Sequence, residues 1–95
     1  MREVRSVDKS LRLVVVTPVG TLLDTTAESV TLPGKDGSFG VLYGHTEMLA
    51  ALTEGELVYR SDGKAAKQKI NGGLAKIKNN TVTVLTDEAV SRLPD

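Results

Sequence analysis

The sequence predicts an all-β fold, an antiparallel sandwich or barrel. Three observations carry that expectation. Apolar residues alternate with period two along most of the chain, turn residues recur roughly every 8 to 12 positions, and sustained helical spacing is missing before the last eight residues. At 95 residues with 12 basic and 12 acidic side chains, this is one small domain of zero formal charge. The balance removes the main electrostatic drive toward nucleic acid or an anionic membrane. Three aromatics, Phe39, Tyr43 and Tyr59, offer little stacking surface for bases. Without cysteine there is neither a disulfide framework nor a thiolate metal site.

Residues 1–10 form a polar N-terminal extension lacking the apolar stretch of a secretory signal. The first strand begins at Leu11, with Leu11, Leu13 and Val15 on one face and Val14 and Val16 on the other. Pro18 and Gly20 break it, and Leu22-Leu23 leads a short second segment. Ser29 to Pro33 places Val30 and Leu32 on the buried side. Pro33-Gly34 and Asp36-Gly37 bracket a tight polar loop. Phe39, Val41 and Tyr43 then share a face, Gly40 and Gly44 keep the other face thin, and Met48 to Leu52 follows a corner at His45. Glu56–Arg60 and Ala66–Ile70 pair across Ser61-Asp62-Gly63, since Asp-Gly supplies the positive φ of a hairpin turn. Leu74–Lys78 and Thr81–Thr86 pair across Asn79-Asn80, with Ile77, Val82 and Val84 as core contacts. The longest apolar run, around Val14 to Val16, is far short of the ~20 residues that span a bilayer.

The residues offer no convincing catalytic or metal constellation. His45 is the single histidine, and only Glu47 lies at a suggestive spacing. An imidazole fastening a loop to backbone is the preferred reading, ahead of a surface contact and well ahead of a metal ligand. Gly72-Gly73 does not make a phosphate loop: Lys76 comes too late, and no Ser/Thr or helix follows. A strand corner where two sheets approach closely accounts for it better. Lys64, Lys67, Lys69, Lys76 and Lys78 read as a solvated outer face. Residues 34–38 read as a plain turn rather than a calcium loop.

Three stretches in this order resemble one family, the epsilon chain of F-type ATP synthase in its N-terminal β-sandwich domain. They are the opening strand Leu11 to Thr17, the run from Gly34 to Leu52, and Asn71-Gly72-Gly73-Leu74-Ala75-Lys76-Ile77 followed by Asn80 to Asp87. The resemblance covers about residues 11–90. Tyr43 and Glu47 stand where the family has prolines flanking Gly-His. It implies an antiparallel β-sandwich of about ten short strands over residues 11–87; the 88–95 C-terminal tail, with no C-terminal helical domain, is a departure from the family. Family members continue into a two-helix hairpin, whereas here only Glu88 to Asp95 follow and Pro94 opposes a helix.

The resemblance further implies a non-catalytic rotor subunit without cofactor or metal, held between the gamma chain and the c-ring. Its coupling role would be passive, with no nucleic-acid partner and no direct membrane insertion. Lys35, Asp36, Gly37, Ser38, Tyr43 and Gly44 match the ring-facing positions. Thr17, His45 and Ala50 match the positions that face gamma. The location implied is peripheral to a membrane, on the cytoplasmic face of a bacterial inner membrane or at a thylakoid or mitochondrial inner membrane. The rival expectation is a free-standing β-sandwich module that binds a peptide or carbohydrate.

Overall fold

A computed structural model describes residues 9–87. The expectations for the rest of the N-terminal extension and for the 88–95 tail, Pro94 included, lie outside the described residues. Seven strands follow one another: β1 Leu11–Thr17, β2 Gly20–Ala27, β3 Ser29–Gly34, β4 Gly37–Leu42, β5 Met48–Ser61, β6 Lys64–Lys78 and β7 Thr81–Leu85. They form one hydrogen-bonded sheet in the order β2-β1-β7-β6-β5-β3-β4.

Two expectations need correction. Among the described residues the strands number seven rather than about ten, because β5 and β6 are 14 and 15 residues long and each absorbs two of the short segments. The ladder is also mixed, since β1 runs parallel to β7 from Arg12↔Thr81 to Val16↔Leu85. The order also departs from a simple meander, because β7 is inserted between β1 and β6. The second segment is longer than expected as well: β2 pairs with β1 through a bulge at Val15/Val16.

The long strands turn a corner together. Met48 and Leu52 face the core in the first half of β5, and Leu57 and Tyr59 face it in the second half. In β6 the inward residue is Ile70 before the corner, then Ala75 and Ile77 after it. The parity of both strands therefore changes at the same crossing, where Thr53 and Glu54 both point to solvent. Gly72 and Gly73 absorb the change with φ values of 80° and 129°. The corner divides the sheet into a five-stranded part (first half of β5, second half of β6, β7, β1, β2) and a four-stranded part (first half of β6, second half of β5, β3, β4).

Between the two parts sits the core. Leu11, Leu13, Val15, Val30, Leu32, Val41, Leu52, Leu57, Ile70, Ile77, Val82 and Val84 are all shielded from solvent. The expected faces of β1, β3 and β7 are thus confirmed. The hairpin turns are also as expected: Asp62 and Gly63 have φ of 54° and 76°, and Asn79 and Asn80 have 51° and 60°. Positive φ at both central residues matches the right-handed twist of the flanking strands.

One buried polar group stands out. Thr86 is 4% exposed, and its hydroxyl has no hydrogen-bond partner among the described residues. Exchanging that hydroxyl for a methyl of the same shape removes an unmet desolvation cost. Thr86→Val is therefore expected to raise stability by about 1 kcal/mol, read as a higher urea midpoint with an unchanged m-value.

Candidate functional site

The predicted contact residues occupy turns and edges because those are the places where the alternating pattern stops. Lys35 and Asp36 form the turn between β3 and β4, with Gly37 and Ser38 opening β4; all four are exposed. Gly34 makes this turn tight. A Cβ there would lie 2.7 Å from the Gly37 carbonyl oxygen and 3.0 Å from the Phe39 ring. The Lys35 N–H donates to the Ala51 carbonyl at 2.9 Å, tying the turn to β5.

Tyr43 and Gly44 lie past the other end of β4. Across its six residues, at about 3.3 Å each, the separation from the Lys35–Asp36 turn is roughly 20 Å. The six proposed ring-facing residues are therefore not one cluster. They are joined by β4 itself, an outermost strand of the sheet, on which Ser38, Gly40 and Leu42 are exposed. Together they form a strip along one edge.

His45 sits at the corner between β4 and β5. Its backbone N–H donates to the Leu42 carbonyl at 3.0 Å, and the ring Nδ1 lies 2.7 Å from the Thr46 carbonyl. A carbonyl only accepts, so Nδ1 carries the proton in this bond. The neighbouring Gly44 N–H donates to the Asn80 side-chain oxygen at 2.6 Å. The corner is thus pinned to its own backbone and to the β6–β7 turn. This is the loop-fastening geometry, and one ring nitrogen is left for the surface.

Ala50 lies on β5 beside the Lys35 turn. A groove of about 430 Å³ runs between them, lined by Phe39, Met48 and Leu49 among others. Ala51 turns its carbonyl toward Lys35, so Leu49, two residues earlier, directs its own N–H and carbonyl to the same edge. No described strand pairs with Leu49 on that side. Its side chain is 62% exposed. Thr17 is three strands away, at the β1–β2 turn, where its hydroxyl donates to the Gly20 carbonyl at 3.1 Å and accepts from the Val19 N–H at 3.3 Å. The three proposed gamma-facing residues are therefore distributed: His45 and Ala50 flank one open edge, and Thr17 stands apart.

Sequence reasoning missed an apolar row on the outer face. Ala51 pairs with Leu74, Leu74 with Leu85, and Leu85 with Val16. Leu74 and Leu85 stand partly exposed on that face. The signal was the second apolar parity in β1 and β7, with Val14, Val16 and Leu85 out of step with the core residues. The lysines do lie outward, and Lys67 reaches only a 4.0 Å contact with Glu56, both side chains being well exposed. Such a pair contributes little. Arg12 makes a better one, its guanidinium donating to both Asp24 oxygens at 3.0 and 2.7 Å. Those hydrogen bonds hold the Asp24 carboxyl below its ordinary pKa, although both groups remain in water.

Among the described residues there is no group of three or more His, Cys, Asp or Glu placed to hold a metal ion. No helix there is long and apolar enough to cross a membrane. Distinctive features are confined to turns, an open strand edge and an apolar outer row. They belong to a β-sandwich scaffold with exposed apolar groups at its surface. The model of the ATP synthase delta/epsilon chain β-sandwich domain matches residues 10–92, and the chain belongs to that family.

Two curated relatives illustrate the likeness. The ATP synthase epsilon chain of Nitratidesulfovibrio vulgaris is 42% identical over 82 residues, covering 86% of this chain and 61% of that one. The epsilon chain of Desulfatibacillum aliphaticivorans is 44% identical over 84 residues, covering 87% and 60%. The chain thus spans about three-fifths of the length of the relatives it matches. Among solved structures, a chain of the Euglena gracilis mitochondrial ATP synthase (OSCP/F1/c-ring, rotational state 1) superposes with a TM-score of 0.80 at 25% identity. That match covers 94% of this chain and 56% of the other. A chain of the Tetrahymena thermophila mitochondrial ATP synthase central stalk and c-ring gives 0.69 at 16% identity, over 83% and 64%, which bears on the fold alone.

Proposed function

We propose that this chain is a non-catalytic subunit of the central stalk of an F-type, proton-translocating ATP synthase. In this reading it turns with the gamma chain and the c-ring and helps couple rotation to ATP synthesis. The observation that carries the reading is the epsilon-chain likeness at about 40% identity over most of the chain, joined to a fold shared with a chain of an F1/c-ring assembly. The physical features agree with it. A closely packed β body transmits load without internal slippage, and exposed apolar groups beside an unpaired strand edge suit a surface covered by another protein.

The ring contact runs along the β4 edge, from Lys35, Asp36, Gly37 and Ser38 to Tyr43 and Gly44. The gamma contact takes His45 and Ala50 at the open β5 edge and reaches Thr17 across the five-stranded part. Membrane association follows from the complex. The site is the cytoplasmic face of a bacterial inner membrane, a choice supported by the bacterial source of the relatives named above.

The test is co-purification with the gamma chain of the same cell. An equimolar complex is expected; a monomer indifferent to gamma would return the chain to the class of free-standing binding modules. His45→Ala is expected to leave the unfolding free energy within about 1 kcal/mol of the parent while weakening the gamma complex. Large destabilisation with an intact complex would make the imidazole purely structural.

A further inference from the structure

We infer that Asn71 is a site of spontaneous deamidation, the point at which this chain acquires a negative charge without any enzyme. The chemistry needs an asparagine side chain free to bend back, a following residue without a β-carbon, and a backbone nitrogen that the fold does not shelter. Asn71 is exposed and is followed by Gly72. Gly72 sits at the corner with φ 80° and pairs in neither ladder: the β5–β6 register passes from Leu52↔Gly73 to Glu54↔Asn71, and the β6–β7 register ends at Leu74↔Leu85.

The other asparagines are placed differently. Asn79 precedes Asn80, whose side chain hinders attack by its backbone nitrogen, and Asn80 precedes Thr81 while its side-chain oxygen is held by the Gly44 N–H. The corner that lets two strands change parity therefore also leaves one asparagine chemically open.

The step balances with hydroxide and water alone. Hydroxide removes the Gly72 amide proton, and the nitrogen attacks Cγ of Asn71. A C–N bond forms, the Cγ–Nδ2 bond breaks, and ammonia leaves with a proton taken from water. Water then opens the cyclic imide at either carbonyl, giving aspartate or isoaspartate. Either product sets a carboxylate opposite Glu54, the cross-strand partner of Asn71. Like charges directly opposite each other destabilise an antiparallel pair. The isoaspartyl product also inserts an extra backbone atom into the corner.

The test incubates the purified chain in mildly alkaline buffer and follows intact mass and peptide maps with time. The expected result is a gain of one mass unit per chain, confined to the peptide containing residues 71 and 72, with an isoaspartyl fraction. Isomerisation at Asp36-Gly37 or Asp62-Gly63 leaves mass unchanged, so it cannot imitate this signal. Asn71→Ser is expected to abolish the gain. Asn71→Asp is expected to melt a few degrees below Asn71→Ser, the gap narrowing in high salt or with Glu54→Gln. An unchanged mass, a gain mapped to Asn79 or Asn80, or a gain that survives Asn71→Ser overturns the inference.

Discussion

Gly73→Ala is expected to be among the most damaging single-methyl additions in this chain, destabilising it by roughly 4 kcal/mol through backbone strain and overpacking together. Gly73 has φ 129°, a region that residues with a Cβ rarely enter, and an ideal Cβ would overlap the Leu85 carbonyl oxygen. The obstacle is backbone in the adjoining strand, so it cannot be relieved by a rotamer change. Moving Leu85 would break the β6–β7 ladder at its last pair, Leu74↔Leu85, and the neighbouring β1–β7 pair, Val16↔Leu85. Gly40→Ala is the matched control. Gly40 sits in exposed β4 with open space around it and no positive φ, so its change is expected to stay within about 0.5 kcal/mol. Chemical denaturation of the two variants reads the difference. Equal, small effects at both positions would mean that the corner is not a close approach.

Leu13→Ala should rival it, lowering stability by roughly 3–4 kcal/mol. Leu13 is fully buried on β1, paired on one side with Thr25 and on the other with Val82. Truncation removes apolar area and leaves a cavity walled by strands locked in ladders, which limits collapse around it. For a domain of this size, whose total stability is of the order of 5–10 kcal/mol, that is a large fraction. A fall in the urea midpoint at constant m-value would locate the effect in the native core. Val14→Ala, on the opposite face of the same strand, should cost far less in the isolated chain. A similar loss at both positions would contradict the assignment of β1 faces.

Much of this architecture was legible because strand faces are a local property. Leu11, Leu13 and Val15 alternate with outward residues, and a half-buried ladder needs nothing more. Asp62-Gly63 and Asn79-Asn80 were legible for the same reason, since each turn depends on residues that tolerate positive φ. What misled was the parity change. At Thr53-Glu54 and Asn71-Gly72 the alternation slips, and in one dimension a slip looks the same as a strand end. Hence two continuous strands read as four. The parallel pairing of β1 with β7 was illegible in principle, because it joins residues some seventy positions apart and leaves no local signature.

The candidate site divides in the same way. Gly-His at a corner signalled a fastened imidazole, and the Nδ1 bond to the Thr46 carbonyl is a short-range contact that spacing can suggest. The separation of Tyr43 from Lys35 follows from the length of β4. The distance of Thr17 from Ala50 depends on strand order, which the sequence does not display. The outer row of Ala51, Leu74, Leu85 and Val16 likewise exists only once four strands are laid in register.

The insertion of β7 between β1 and β6 has a consequence for biosynthesis. The slot between β1 and β6 is filled by the last of the described strands, so a nascent polypeptide leaving the ribosome holds β1 and β6 with facing rims unsatisfied until Thr81–Leu85 has emerged. Until then it carries two sticky ribbons of the kind that seek partners in other chains. Stalling translation just short of residue 81 should therefore yield a protease-sensitive, chaperone-bound product, and release of the last strand should convert it to the resistant native form.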